Sequence, residues 1–402
     1  MKYVSMILIA IFFLVGTYQR NKTWKEPLGL WEDIIKKSPD KARALNGLGL
    51  AYCDRGLIDK AIETLNRAVQ VDPNHIKAYN NLGITYSKKK LYEKSLEAFK
   101  HALAISPGYA KAHNNLGNIY NAMGKYAQAI EEYEVCITTK PDYIQAYNNL
   151  GVAYSNKGMF DEAIKVYKNA LRLDPYYAEC HNNLGAAYYD IKQYDNSIIA
   201  LNKALAIDPQ MVEAYSNLGN VYKDLGKMEE AVGVLQKSLE INPGFDKALT
   251  NLANLYKDQG LNKQAIKHYE KAIEADPQNP SLYHNLGTVY NKEKLYKEAI
   301  EAYQKALLLK PDFARSHNNL GIAYNAVGKV SEAVRAVEEA IRLDPDYAKA
   351  HLNLGILYAK KVKDYNKALF HLKKAIALDP ASPNAQKVRG LIEQIEKGSK
   401  TS

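Results

Sequence analysis

Residues 110–143 read AKAHNNLGNIYNAMGKYAQAIEEYEVCITTKPDY, and the same grammar returns every 34 residues along the chain. Gly117 has counterparts at Gly49, Gly83, Gly151, Gly185, Gly219, Gly287, Gly321 and Gly355, and Ala253 stands in the one remaining slot. Three residues after each of these ten positions comes a tyrosine, from Tyr52 to Tyr358. Eleven of the 14 prolines keep the same clock, from Pro39 to Pro380. The last is one residue late, which places an inserted residue at or near Val362. A fixed period of this length marks stacked supersecondary units rather than a chain divided into separate packed domains.

Within the quoted unit the apolar spacing is helical. Leu116, Ile119 and Tyr120 share one stripe, and Ala129, Ile130, Tyr133 and Cys136 share another, so each unit holds two short helices. The clocked proline cannot continue a helix and forces the residue before it out of the αR region, so it ends the second helix. Between the two helices a glycine recurs, as at Gly56, Gly124, Gly158, Gly226, Gly260 and Gly328, where a positive φ carries little penalty; Lys90, Lys192 and Lys294 replace it in three units. Small residues such as Ala61, Ser95, Ala129 and Ser197 let the two helices approach closely. One such hairpin cannot bury its own apolar face, so stability lies in stacking, and the fold class is all-α.

The order Leu-Gly, Tyr, Ala, a large residue such as Phe99 or Tyr133, Ala and Pro over 34 residues resembles the tetratricopeptide repeat. The resemblance implies a right-handed superhelix, an α-solenoid of about ten helix-turn-helix units, with a concave inner face that binds peptides. The units are expected at 42–75, 76–109, 110–143, 144–177, 178–211, 212–245, 246–279, 280–313, 314–347 and 348–382. Trp31 and Ile34 stand before Pro39 as Leu65 and Ala68 stand before Pro73, so residues 19–41 read as a linker and a half-repeat cap. Residues 383–402 read as a polar C-terminal capping helix and tail.

Composition narrows the function. Of 402 residues 47% are apolar and 24% charged, which excludes a disordered or collagen-like chain. Three cysteines, Cys53, Cys136 and Cys180, form no C-x-x-C pair, so neither a disulfide framework nor a thiolate zinc site is expected. The net charge of +10 is modest for this length, and no nucleic-acid partner is expected. No phosphate-binding glycine loop, nucleophile elbow or His-Glu-x-x-His motif is present. Once the repeats are set aside little chain remains for a catalytic domain, so no enzyme activity, cofactor or metal is expected.

Val4 to Val15 contains Ser5 as its single polar residue and is flanked by Lys2, Arg20 and Lys22, so residues 1–18 read as a membrane anchor or signal-anchor, with a cleaved signal peptide as the rival. Basic residues balance on the two sides of this segment, so charge does not orient it. The stretch from Thr17 to Trp24, with Leu30-Trp31-Glu32 and Lys37-Ser38-Pro39, resembles the junction that precedes the repeats in polytopic membrane glycosyltransferases. That resemblance implies a periplasmic or luminal location for the repeats and a membrane glycosyltransferase as a partner.

Two residues before the marker position an asparagine recurs in nine units: Asn81, Asn115, Asn149, Asn183, Asn217, Asn251, Asn285, Asn319 and Asn353, while Gly47 breaks the series. A carboxamide both donates and accepts, which suits the backbone of an extended peptide. The row resembles that of the repeat domain in O-linked N-acetylglucosamine transferases. The alternative is that these amides bond neighbouring helices and meet no ligand. Four residues before the row stand Arg43, Lys77, Lys111, Lys247, Arg315 and Lys349, with Glu179 and Glu213 in the middle units, a pattern basic at both ends and acidic in the middle. A lysine-based carboxylate clamp is not expected, because the slot it needs holds Asn80, Asn114, Asn148, Asn182 and Asn318. His113, His181, His317 and His351 share a slot with Tyr79, Tyr147, Tyr215 and Tyr283 and read as packing residues on the groove side. Taken together, the sequence predicts a membrane-anchored scaffold that holds extended protein segments, or, alternatively, the substrate-presenting part of a protein glycosylation system.

Overall fold

The computed structural model describes residues 27–398. The expected anchor over residues 1–18 lies outside them, and no helix among the described residues is long and apolar enough to cross a membrane. The described chain contains 22 α-helices and one π-helical turn, and no strand among the described residues. The chain divides into two compact units, Met1–Asp208 and Pro209–Ser402.

In the first unit the lone helix Pro27–Lys37 is followed by five pairs, beginning with Ala42–Asp54 and Ile58–Val71 and ending with Ala178–Asp190 and Tyr194–Ile207. In the second, five further pairs run from Val212–Asp224 and Met228–Ile241 to Ala348–Leu357 and Tyr365–Leu378, and the helix Ala385–Gly398 follows. The first helix of a pair is called A below and the second B. Within each unit each A helix packs along its own B helix, each B helix packs on the next A helix, and most successive A helices touch.

The turns follow from local chemistry. The residue before each clocked proline is extended, as at Asp72 (φ −133°, ψ 93°) and Asp174 (φ −138°, ψ 97°). At these two aspartates the carboxylate then accepts from the backbone two residues on, Asp72 Oδ1 from Asn74 N at 3.0 Å and Asp174 Oδ1 from Tyr176 N at 2.9 Å, an Asx turn that leads into the next A helix. At the A-to-B turn Gly124 and its counterparts take positive φ, and Lys90, Lys192 and Lys294 do the same at φ 59–60°.

The marker glycines are holes for the B helix. A Cβ on Gly151 would stand 2.3 Å from the Tyr167 ring, and one on Gly83 would stand 2.6 Å from Phe99. Tyr133, Tyr167, Tyr269 and Tyr303 are among the largest fully buried side chains. Gly47, which interrupts the asparagine row, lies under the indole of Trp31, 2.4 Å from where its Cβ would be. The half-repeat thus closes the first pair with a ring where other units carry a carboxamide. At the far end Val388 and Ile395 from the last helix are buried with Leu354 and Leu372, covering the apolar side of the final pair.

The inserted residue of the tenth pair is absorbed in the π-helical turn Tyr358–Val362. Lys363 then takes the left-handed turn position (φ 61°), one residue later than the 34-residue clock would place it.

Candidate functional site

The asparagine row forms a ladder. In the first unit Asn81 Nδ2 donates to Asn46 Oδ1 at 2.8 Å, Asn115 to Asn80 at 3.0 Å, Asn149 to Asn114 at 3.0 Å and Asn183 to Asn148 at 3.0 Å. In the second, Asn353 donates to Asn318 at 2.8 Å and Asn251 to the Ser216 hydroxyl at 3.1 Å. Each of these six row residues reaches across to the A helix of the preceding pair, to the slot one residue before that pair's own row position. The acceptors Asn80, Asn114, Asn148, Ser216 and Asn318 are buried, whereas the row residues themselves are half-buried.

This second asparagine slot carries as much of the geometry as the first. At the sequence level it served only to argue against a lysine clamp; its signal was the Asn-Asn doublet, which places a donor and an acceptor at successive helical positions. Asn114, Asn182 and Asn318 complete the chain by donating to the Oδ1 of Asn115, Asn183 and Asn319. Asn149 directs its Nδ2 to both Asn114 and Asn118, each at 3.0 Å. A half-buried carboxamide so held has a fixed orientation, which presets the lone pairs and N–H groups left over.

The flanking charges, Arg43, Lys77, Lys111, Lys247, Arg315 and Lys349, are all exposed, as are Glu179 and Glu213. Arg43 and Lys77 come together with Asn46, Leu50, Asp54 and His75 around a cavity of about 660 Å³ on the A-helix face. Glu179 accepts from Asn148 Nδ2 at 3.2 Å, so one acidic flank is tied into the ladder. Arg315 stands near His284, which lies between Phe313 and Tyr303 and bonds Ser316 Oγ at 2.8 Å. Burial first, and the neighbouring Arg315 and Lys257 after it, push the His284 imidazole down to about 4. Asn353 lines a smaller cavity of about 220 Å³ with Ile322, Asn325, Lys360 and Lys361 beside the π-turn.

The histidine slot has a purpose that its expected groove packing did not anticipate. His113, His181, His317 and His351 all place Nε2 2.8–3.1 Å from the carbonyl oxygen of the proline six residues earlier, pinning the A helix to the inter-pair turn. Tyr283 OH donates to Pro277 O in the same way at 3.3 Å, which explains why tyrosine and histidine alternate there. His113 also bonds Glu132 at 2.7 Å through Nδ1, and that bond raises its pKa. The marker tyrosines reach the preceding B helix, as in Tyr154 OH to Glu134 Oε1 at 2.9 Å and Tyr358 OH to Glu338 Oε1 at 2.7 Å. Burial pushes the thiols of Cys136 and Cys180 up, to about 11 and about 12, so they are protonated side chains of the core. No group of three or more potential metal ligands is assembled among the described residues.

Tandem antiparallel helix pairs with a repeated polar ladder on their A helices define an α-helical repeat protein. Models of the tetratricopeptide repeat match residues 40–108, 98–131, 144–177, 212–245, 234–267 and 348–382, and a further TPR repeat model matches 117–158, 187–226, 253–294, 289–328 and 323–362. The chain belongs to the tetratricopeptide repeat family. Among solved structures, a tetratricopeptide repeat protein from Parabacteroides merdae is 16% identical with a TM-score of 0.54, the match covering 64% of this chain and 98% of that one. YrrB, described as a TPR protein with an unusual peptide-binding site, is 28% identical over 48% of this chain and 98% of its own, with a TM-score of 0.41. MamA is 30% identical over 40% of this chain and 95% of its own, with a TM-score of 0.35. No curated protein matches the chain in sequence.

Proposed function

We propose that this chain is a protein-interaction scaffold that holds extended segments of partner proteins along its A-helix face. The observation that carries the reading is the half-buried asparagine ladder, whose carboxamides are pre-oriented by their neighbours and repeat once per helix pair. Pre-orientation lowers the entropy lost on binding, and amides at a regular interval suit the peptide backbone, which repeats its donors and acceptors whatever its side chains. Arg43 and Lys77, gathered beside Asn46 at one cavity, add charge selection at one end. The role is recruitment, with no catalytic step assigned to the chain.

The test is a fluorescence binding assay with peptides selected on the protein from a random-sequence library. Replacing Asn149 and Asn183 by alanine should weaken binding at least ~10-fold while thermal unfolding stays cooperative. Unchanged affinity in that folded variant would sink the reading.

The apolar stretch Val4–Val15 supports attachment of this scaffold to a membrane, and the junction around Trp24 and Trp31 supports repeats on the periplasmic or luminal side. Presentation of bound segments to a membrane glycosyltransferase would use the same ladder. Impermeant thiol labelling of Ser399→Cys, in a background without the native cysteines, tests the sidedness: labelling in intact cells supports it, and labelling only after lysis refutes it.

A further inference from the structure

The repeat supplies its own control, because each slot can be compared with the same slot in the other units. By that comparison one place in the first compact unit is abnormal. It is the cleft between the B helices Phe160–Leu173 and Tyr194–Ile207, with Leu184 and Tyr188 of the intervening A helix among its lining residues. Its volume is about 640 Å³, within the range of ligand-sized sites.

Four departures from the repeat converge there. Ile199 is 56% exposed in a slot that holds Glu63, Glu97, Glu131 and Lys165 in the other pairs of this compact unit. Tyr176 is 79% exposed in a turn slot that elsewhere holds Asn74, Gly108, Asp142 or Asp312. Lys168, like Lys100 but unlike Glu134, Glu270 and Glu338, offers no carboxylate to its marker tyrosine, and its ammonium lies over the Tyr188 ring, 5.6 Å from the centroid. Ala200 stands where Glu132 meets His113, so the buried Nδ1 of His181 has no hydrogen-bond partner. The His181 residue is 7% exposed and lines the cleft, and its neutral ring adds no charge to it: burial chiefly, helped by Lys203, lowers its pKa.

The charge is one-sided. Lys168, Arg172 and Lys203 line the cleft, no acidic residue does, and none of the three is in an ion pair among the described residues. Three cations around an exposed isoleucine and tyrosine suit neither a hydrated phosphate backbone, which leaves the apolar residues unused, nor a flat bilayer, which cannot enter a cleft. They suit a polypeptide bearing both carboxylates and an apolar side chain.

We propose that this cleft is a second docking site, separate from the asparagine ladder, for an acidic segment of a partner protein. An apolar side chain of the segment packs between Tyr176 and Ile199 while its carboxylates meet Lys168, Arg172 and Lys203.

The probe is a dye-labelled synthetic peptide of ~14 residues built from Glu, Leu and Phe, read by fluorescence polarisation against the full chain, with a Gln-for-Glu version as its partner control. Ile199→Glu installs the residue that Glu63 and Glu97 already represent, so it tests the cleft without disturbing the repeat. Lys203→Glu tests the charge, and Lys237→Glu, the same slot one pair later, applies an equal charge change outside the cleft. Ile199→Glu and Lys203→Glu should each weaken the acidic peptide ~10-fold, with Lys237→Glu within ~2-fold of the parent and any binding of the Gln peptide at least ~10-fold weaker and unchanged by Lys203→Glu. Equal loss in Lys237→Glu or equal binding of the Gln peptide would overturn the proposal. So would the absence of peptide binding alongside self-association, or binding to anionic phosphatidylserine vesicles, that Ile199→Glu abolishes. Failure of the ladder reading would leave this outcome untouched, because the two sites are scored by different variants.

Discussion

Asn149 donates from Nδ2 to Asn114 Oδ1 at 3.0 Å, joining two A helices that are neighbours in space and 35 residues apart in sequence. The bond puts structure and recognition in the same side chain: the neighbour that stabilises Asn149 also fixes the direction of what remains for a ligand. The two roles are separable by a double-mutant cycle. Asn114→Ala and Asn149→Ala should couple by about 0.5–1.5 kcal/mol in urea unfolding, the ordinary range of a net hydrogen bond. Peptide affinity should fall in both single variants, since Asn114→Ala leaves Asn149 free to turn. Additive unfolding energies would show that the ladder contributes no stability.

A second consequence concerns acid. His284 occupies the acceptor slot that Asn114 and Asn318 fill elsewhere, and its pKa is lowered to about 4 from 6.5, mainly by burial. The unfolded chain therefore takes up this proton first, so the contribution to stability is full above about pH 6.5 and is lost as pH falls toward 4. His284→Asn installs the resident of the sibling units and removes the titration. The stability of the parent minus that of the variant, measured by urea unfolding across this range, should fall as pH is lowered, and a pH-independent difference would contradict the assignment.

At the A-to-B turns the backbone demands are unequal. Lys192 holds φ at 60° where Gly158 in the preceding pair holds 79°. A side chain in the left-handed region is strained by about 1 kcal/mol relative to glycine. Lys192→Gly should accordingly raise the melting temperature slightly or leave it level, and Gly158→Lys should lower it by a few degrees; scanning calorimetry of the two variants reads the sign directly.

Much of this architecture was visible in the residues, and the reasons are physical. A proline beyond the first turn cannot continue a helix, and Lys90, Lys192 and Lys294 could be placed at glycine turns because the slot dictates φ whatever its occupant. The row asparagines were legible as a row because they share one helix face. Their partners were not, because a bond from Asn149 to Asn114 depends on how two A helices are displaced along each other, which periodicity leaves open. The cleft beside Ile199 was missed for a related reason: Tyr176, Lys168 and Ile199 each look like ordinary surface variation, and only the stacking of successive pairs gathers them. The sequence suggests groove packing for the histidines because spacing marks the slot but not the direction of the ring, and the proline carbonyl it meets lies in the turn.

The tenth pair offers the sharpest test of how tightly the 34-residue clock is enforced. Between Gly355 and the left-handed Lys363 there are eight steps, against seven between Gly321 and Gly328, and the extra residue is housed in the π-helical turn Tyr358–Val362. A π-turn widens the helix and weakens its hydrogen bonding, so it persists in a repeat only where neighbouring contacts tolerate or use it. Here Tyr358 on one side holds Glu338 at 2.7 Å, and on the other side Lys360 and Lys361 line the small cavity with Asn353. Deleting Val362 returns the spacing to the clock, moves Lys363 into the slot of Gly328, and lets the A helix run on without the wide turn. The deletion variant should unfold cooperatively at an equal or higher temperature, with slower amide exchange over residues 358–361. If peptide affinity at this end falls while stability rises, the insertion serves the cavity beside Asn353; if stability falls, the π-turn is required by the packing of Tyr358 against the preceding pair.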